Sequence, residues 1–415
     1  MQYALYAPSH IDATVKLPAS KSISNRALII HALSGAQHSP ANISDCDDSL
    51  AIIHALNTLS QTIDVGGAGT AMRFLTAYLS LAEGTHTLTG NERMRHRPIG
   101  ELVDALRYLG ASIDYLGEDG YPPLRIEGHP MDGGSIEVPG NVSSQFVSAL
   151  LMTGPNMAGG LTLSLTAGVT SRPYIDLTVC TMREYGADIE WTDVNTITVK
   201  PKPYDHKAFS IENDWSAASY WYEVLALLDD AESRLVMPGL LDSSRQGDSV
   251  TRYIFLPFGV KTAFAKMADD TTDSVVLTRH RRTLPTFNYD FVNFPDLAQT
   301  LAATCIGLEI PFKFSGLATL RIKETDRIEA LRHEFRKLGY VVEVSGDDEM
   351  SWKGVRCEAT MEPIDTYGDH RMAMAFAPLA IKYPGLVIND PHVVTKSYPR
   401  FWDDLAKAGF KIDEL

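Results

Sequence analysis

Leu17-Pro18-Ala19-Ser20-Lys21-Ser22-Ile23-Ser24-Asn25-Arg26 sets a polar, cationic cluster between a short strand and an apolar helix. Val15-Lys16-Leu17 reads as a strand end that Pro18 stops, and Arg26 to Leu33 reads as a helix whose orphan N–H groups are met at the serines. Spacing of four predicts the Ser22 hydroxyl and the Arg26 guanidinium side by side on one helix face, with Lys21 at the positive end of the helix dipole. That is a poor core and a good anion site. A serine-rich helix cap accounts for the same serines.

The stretch is also a short polar joint, and a second joint lies at Ser210-Ile211-Glu212-Asn213-Asp214. Together they predict a domain of residues 20–211 inserted into one made of 1–19 and 212–415. Inside both halves a unit recurs in which a helix ends on a bulky residue and Gly, then a strand begins, as in Tyr108-Leu109-Gly110-Ala111-Ser112-Ile113. Gly110, Gly186, Gly259, Gly339 and Gly409 mark it at intervals of 76, 73, 80 and 70 residues. Those steps exceed a solenoid repeat and suit modules of several strands and two helices, hence an α/β fold with three modules per half. Between Asp48 and Gly66 the pattern shortens, which leaves the first module short of strands.

A chain of 415 residues, 45% hydrophobic and 21% charged, can bury a large core in two or three domains. Its net charge of −15 argues against a general nucleic-acid or anionic-membrane binder, so any cationic cluster is local and specific. Cys46, Cys180, Cys305 and Cys357 are too scattered for a disulfide frame or zinc site and suggest reduced thiols. No apolar run is long enough to span a bilayer, and Met1 to Tyr6 lack the look of a signal peptide, so a cytoplasmic location is expected.

Further anion-handling segments follow. Gly66-Gly67-Ala68-Gly69-Thr70 precedes a helix, as backbone that cradles phosphate or carboxylate does, but lacks the Gly-Lys-Ser/Thr ending of a nucleotide loop. Of Arg93, Arg95 and Arg97, the one beside Pro98 is the better ligand. Ser143-Ser144-Gln145 and Thr170-Ser171-Arg172-Pro173-Tyr174 offer hydroxyls at helix starts, where they also serve as caps, the first as a capping box with Gln145 at its third helical position. Lys323 and Arg327 in Arg321-Ile322-Lys323-Glu324-Thr325-Asp326-Arg327 read as one helix face, with Glu324 beside them. Asp369-His370-Arg371-Met372 and Thr395-Lys396-Ser397 repeat the cation-before-helix design.

Taken in order, these motifs resemble the 5-enolpyruvylshikimate-3-phosphate synthase family over nearly the whole chain. The resemblance implies the two-domain enolpyruvyl transferase fold, an inside-out α/β barrel of repeated βαβαββ units that closes over a cleft on binding its substrates. It implies transfer of the enolpyruvyl group of phosphoenolpyruvate to shikimate 3-phosphate, with phosphate released, no metal and no organic cofactor, and a monomer is expected. By position, Lys21, Ser22, Arg26, Ser143, Ser144, Gln145, Ser171, Tyr174, Asp296, Thr319 and Lys323 would meet shikimate 3-phosphate. Lys21, Gly69, Arg97, Gln145, Arg327, Arg371 and Lys396 would meet phosphoenolpyruvate. Asp296 matches the family's base, Glu324 the acid that protonates the methylene carbon, and Lys21 touches both substrates. Gly67 and Thr319 stand where the family usually has Asn, and Phe74 where Pro is frequent. The alternatives are a non-catalytic phospho-ligand-binding homologue and the sister enzyme acting on UDP-N-acetylglucosamine. Lys21-Ser22, and the lack of a Cys between Arg93 and Arg97, count against the sister enzyme.

Overall fold

The computed structural model describes residues 1–267 and 272–415. Two compact units divide it, a discontinuous one of Met1–Pro18 with Glu212–Leu415 and a continuous one of Ala19–Ile211. Ala19 packs into the continuous unit's core, so the first crossing falls at the Pro18–Ala19 bond, one residue earlier than the sequence reading placed it.

One module recurs. In the continuous unit the strands Thr62–Asp64, Gly84–Thr89, Leu124–Gly128 and Ser112–Tyr115 lie side by side in that order, the first pair parallel and the others antiparallel. Gly134–Pro139, Leu161–Thr166, Thr196–Val199 and Ile189–Asp193 repeat it. In the discontinuous unit Phe287–Asp290, Phe312–Ser315, Glu349–Trp352 and Glu343–Ser345 do the same. A fourth sheet borrows its first strand, Asp12–Thr14, from before the crossing and continues through Arg234–Pro238, Asp273–Arg279 and Val260–Lys266. This order is what a helical crossover followed by a hairpin produces, since parallel neighbours need the crossover and antiparallel ones only a turn.

Two modules are reduced. In the sheet Leu386–Asn389, Gln2–Tyr6, Lys411–Glu414 the parallel first strand shrinks to one bridge, Ile364 to Ile388. The shortened first module keeps the helices Lys21–Ser34 and Asp47–Thr58, and its strand pairing is a bridge from Ala41 to Ser210. The five marker glycines all have positive φ, from 82° to 108°, where an L side chain would be strained.

The centre of each unit is helical. Trp215–Leu227, Ala298–Gly307 and His370–Phe376 are buried almost throughout, as are Gly69–Leu79 and Ser144–Thr153 in the other unit. A helix buried on all sides must be apolar on all sides, so polar groups collect at its ends. Of the candidate site residues, Gly69, Ser143, Ser144, Gln145, Asp296 and Arg371 sit at or just before those ends.

Candidate active site

In the continuous unit Ser20 caps the helix Lys21–Ser34, its side chain accepting the Ile23 N–H at 3.4 Å. The helix therefore begins five residues before the expected Arg26, and Lys21 and Ser22 form its first turn. Arg26 is 3% exposed. It donates from Nε to Thr178 Oγ1 at 2.6 Å, from Nη1 to the Ser22 carbonyl at 2.8 Å, and from Nη2 to Ser148 Oγ at 3.1 Å and the Tyr174 carbonyl at 3.0 Å. Ser22 thus meets the guanidinium through its backbone, and all four partners are neutral. Burial brings the Arg26 pKa down to about 10, against a smaller opposing pull from Tyr174. The Phe74 ring, where the family often has Pro, lies under this guanidinium at 5.6 Å. Lys21 Nζ lies 3.2 Å from the buried carboxylate of Asp48.

Gly69 opens the helix Gly69–Leu79, whose cap residue Ala68 has no side chain to offer the first N–H groups. Arg97, 7% exposed, presses against it: a Cβ on Gly69 would lie 2.6 Å from Arg97 Nη1. Arg73 ties the two segments together, donating to the Gly69 carbonyl at 3.2 Å and the Pro98 carbonyl at 3.0 Å. Arg93 and Arg95 are exposed on the short helix Glu92–Arg95. Ser143 caps Ser144–Thr153 by accepting the Gln145 N–H at 3.3 Å, which puts Gln145 second in the helix, not third. Its amide donates to Thr70 Oγ1 at 3.2 Å, so the expected reciprocal capping box gives way to a link with the glycine loop. Ser171, 6% exposed at φ 54°, precedes Arg172–Glu184 without using its side chain as a cap.

In the discontinuous unit Asp326 caps the helix Arg327–Lys337, taking the N–H groups of Ile328 and Glu329 at 3.1 and 3.2 Å. Lys323 and Glu324 consequently precede the helix, and the expected helical face shared by Lys323 and Arg327 does not form. Lys323 instead ends the 3₁₀ turn Ala318–Ile322 that carries Thr319, whose buried hydroxyl has no hydrogen-bond partner among the described residues. Arg327, 2% exposed, is the hub. It donates to Asp369 at 2.7 Å, Glu324 at 3.0 Å and Asp296 at 3.2 Å. Arg371 Nη2 holds the other Asp296 oxygen at 2.8 Å, and Lys396 Nζ lies 3.4 Å from the other Glu324 oxygen. Burial alone would lower the Arg327 pKa, but Asp369, Glu324 and Asp296 hold it raised. Asp296 and Glu324 thus share the Arg327 guanidinium with Asp369, and each also has a second cation of its own.

Residues 5–65 and 58–405 match the family model described as EPSP synthase (3-phosphoshikimate 1-carboxyvinyltransferase). The chain belongs to the EPSP synthase family. A 3-phosphoshikimate 1-carboxyvinyltransferase of Bacteroides fragilis is 53% identical over 413 residues, 99% of each chain, and one of Shewanella denitrificans is 36% identical over 429 residues, 96% of each. Among solved structures, EPSP synthase of Acinetobacter baumannii superposes with a TM-score of 0.77 at 20% identity over 100% of both chains. The enolpyruvyl transferase NikO of Streptomyces tendae gives 0.73 at 15% identity, covering 99% of this chain and 98% of its own. The fold is the two-domain enolpyruvyl transferase fold.

Four residues that sequence reasoning gave no role join the candidate site. Asp369 and Asp48 are the buried carboxylates on Arg327 and Lys21. Tyr220 accepts from Arg371 Nη1 at 3.3 Å, and burial pushes its hydroxyl to about 12. Asp248 accepts the Ser216 hydroxyl, and burial, then the nearby Asp296 charge, raises it to about 6. Only Asp369 carried a signal, an Asp directly before an apolar helix. Among the described residues no helix is long and apolar enough to cross a membrane, and no three His, Cys, Asp or Glu side chains are grouped to hold a metal ion.

Proposed function

We propose that this chain transfers the enolpyruvyl group of phosphoenolpyruvate to the 5-hydroxyl of shikimate 3-phosphate and releases phosphate. The observation that carries this reading is the pair Asp296 and Glu324 on the Arg327 guanidinium, each with its second cation. Asp296 takes the proton of the 5-hydroxyl as that oxygen adds to C2 of phosphoenolpyruvate, while Glu324 delivers a proton to the C3 methylene. The tetrahedral adduct then loses phosphate from C2 and a proton from C3, restoring the double bond. Lys21, Ser22, Arg26, Ser143, Ser144, Ser171, Tyr174, Thr319 and Lys323 serve shikimate 3-phosphate. Gly69, Arg97, Arg327, Arg371 and Lys396 serve phosphoenolpyruvate, and Gln145 and Lys21 serve both. Buried cations of this kind act strongly because a water-poor site screens them little.

Phosphate release from phosphoenolpyruvate is expected with shikimate 3-phosphate and not with UDP-N-acetylglucosamine. Turnover with the second acceptor alone, or with neither, overturns the reading. We also infer a cytoplasmic monomer, supported by four free cysteines; sedimentation as a dimer at micromolar concentration counts against the second part.

A further inference from the structure

The strand Gly134–Pro139 is the first strand and an edge of its sheet. Its inner hydrogen bonds run from Gly134 N–H to the Gly160 carbonyl, with the next residue after the strand, Gly140, donating to Thr166. Period-two alternation therefore turns the N–H and C=O groups of Ser135 and Glu137 outward, where the described residues give them no hydrogen-bond partner. Between this edge and the helix Gly100–Tyr108 lies a groove of about 630 Å³, walled by Glu101, Asp104, Ala105 and Tyr108 on the helix side. Tyr108 is 72% exposed.

The fold supplies its own comparison. In the discontinuous unit the equivalent helix is Arg327–Lys337 and the equivalent first strand is the bridge residue Ile364. There the outward groups are capped: Glu334 accepts the Asp365 N–H at 3.0 Å, and Lys337 Nζ donates to the Pro363 carbonyl at 2.9 Å. Aligned on the terminal glycines Gly339 and Gly110, Glu334 corresponds to Ala105 and Lys337 to Tyr108. One module thus closes its edge with a carboxylate and an ammonium. The other puts a methyl and a phenol ring in their places and leaves the edge bare.

We propose that this groove is a docking site for an extended, lysine-bearing segment of a partner protein, added as a further strand on Gly134–Pro139. The bare edge selects an extended backbone. Glu101, Asp104 and Glu137 select cationic side chains, and the exposed Tyr108 ring covers their aliphatic stems. Arg107, the cation on this helix, has Nη1 4.0 Å from Asp104 but is anchored on the Ile113 carbonyl, to which it donates at 2.9 Å with its guanidinium over Tyr115, so Glu101 and Glu137 carry most of the selecting charge.

The probe is a labelled, end-blocked peptide of alternating lysine and valine, about eight residues long so that it spans the strand, titrated against the full chain by fluorescence anisotropy. Saturable single-site binding that weakens with salt is expected. Glu137→Pro removes an outward N–H together with one of the three groove carboxylates and blocks the edge, so it should weaken binding about tenfold or more while enolpyruvyl transfer, the check on folding, persists. Glu101→Lys with Asp104→Lys, at exposed helix positions, should weaken it comparably if the strand variant does not fold. A peptide N-methylated along one edge that binds as well as its parent overturns strand addition. So does unchanged binding by both variants. Self-association of the chain that Glu137→Pro abolishes would assign the groove to a second copy and overturn the partner.

Discussion

The buried helices of the two units begin in opposite ways. In the continuous unit the starts at Lys21, Gly69 and Ser144 are preceded by Ser20, Ala68 and Ser143, all neutral, and the nearby Arg26 is bonded to hydroxyls and carbonyls. In the discontinuous unit Asp214 and Asp369 cap two of the three helices, and Asp296 sits just ahead of the third. Apart from Asp48 beside Lys21, the first arrangement sets neutral groups at the helix starts and around the Arg26 guanidinium, a field for an incoming dianion. The second spends that field on carboxylates of the protein's own, which acid–base chemistry requires and simple anion binding does not. The units share a module and differ in where the negative charge comes from.

The comparison breaks first at Asp296. Asp296→Asn keeps one acceptor oxygen, enough for Arg327 or Arg371 but not both, and removes the proposed base, so kcat should fall by about 10²–10⁴-fold. Calorimetric binding of shikimate 3-phosphate should change far less if, as proposed, the neutral-capped helices of the other unit carry its phosphate. Near-normal turnover would remove Asp296 as the base.

Stability should separate the two arginines next. Arg327→Met leaves Asp369 buried and unpaired, which should cost about 3–5 kcal/mol in urea denaturation of the unliganded protein. Arg26→Met deletes a charge whose partners are neutral and partly bonded to one another already, Ser148 to Thr178 at 2.7 Å. Its loss should be less than about half as large. Equal losses would mean that Arg26 is compensated after all.

How much of this was legible in the sequence depends on the range of the interaction. The module boundaries were readable because Gly110, Gly186, Gly259, Gly339 and Gly409 mark a backbone requirement local to each helix end. The cationic segments were readable because each precedes an apolar helix. The start of Arg327–Lys337 was misplaced, since Asp326, Glu324 and Lys323 are all plausible first-turn residues and the cap geometry that picks Asp326 does not show in residue types. The pairing of Arg327 with Asp369, 42 residues apart, is a tertiary fact with no sequence period behind it. Of the central helices, Trp215–Leu227 and Ala298–Gly307 hide for a related reason: buried on every side, they lack the 3.6-residue alternation that marks a surface helix.

Glu212 sharpens the comparison from the other side, as a carboxyl of the discontinuous unit held by neutral groups, Ser244 and Gln246. Burial raises it to about 7 from 4.5, against smaller opposing pulls from those two partners. The folded chain then keeps a proton that the unfolded chain releases between those values, so this group's contribution to stability is lost as pH rises through that window. Glu212→Gln keeps both hydrogen bonds without the charge. Relative to the parent it should gain on the order of 3 kcal/mol more at pH 8 than at pH 4.5. A difference between variant and parent that does not change with pH would show that the carboxyl is better hydrated than its surroundings suggest.

The smallest effect is expected at Gly69, where the neutral helix start depends on bare backbone. Gly69→Ala places a methyl 2.6 Å from Arg97 Nη1 and 3.0 Å from Cζ, so the guanidinium must shift while the helix, which tolerates Ala well, stays. Displacing one charge-assisted contact should raise KM for phosphoenolpyruvate about tenfold with KM for shikimate 3-phosphate nearly unchanged. If both rise together, Gly69 supports the whole helix cluster and its backbone does not single out one anion. If neither moves, Arg97 reaches its ligand from another rotamer, and the close approach to the glycine loop is packing alone.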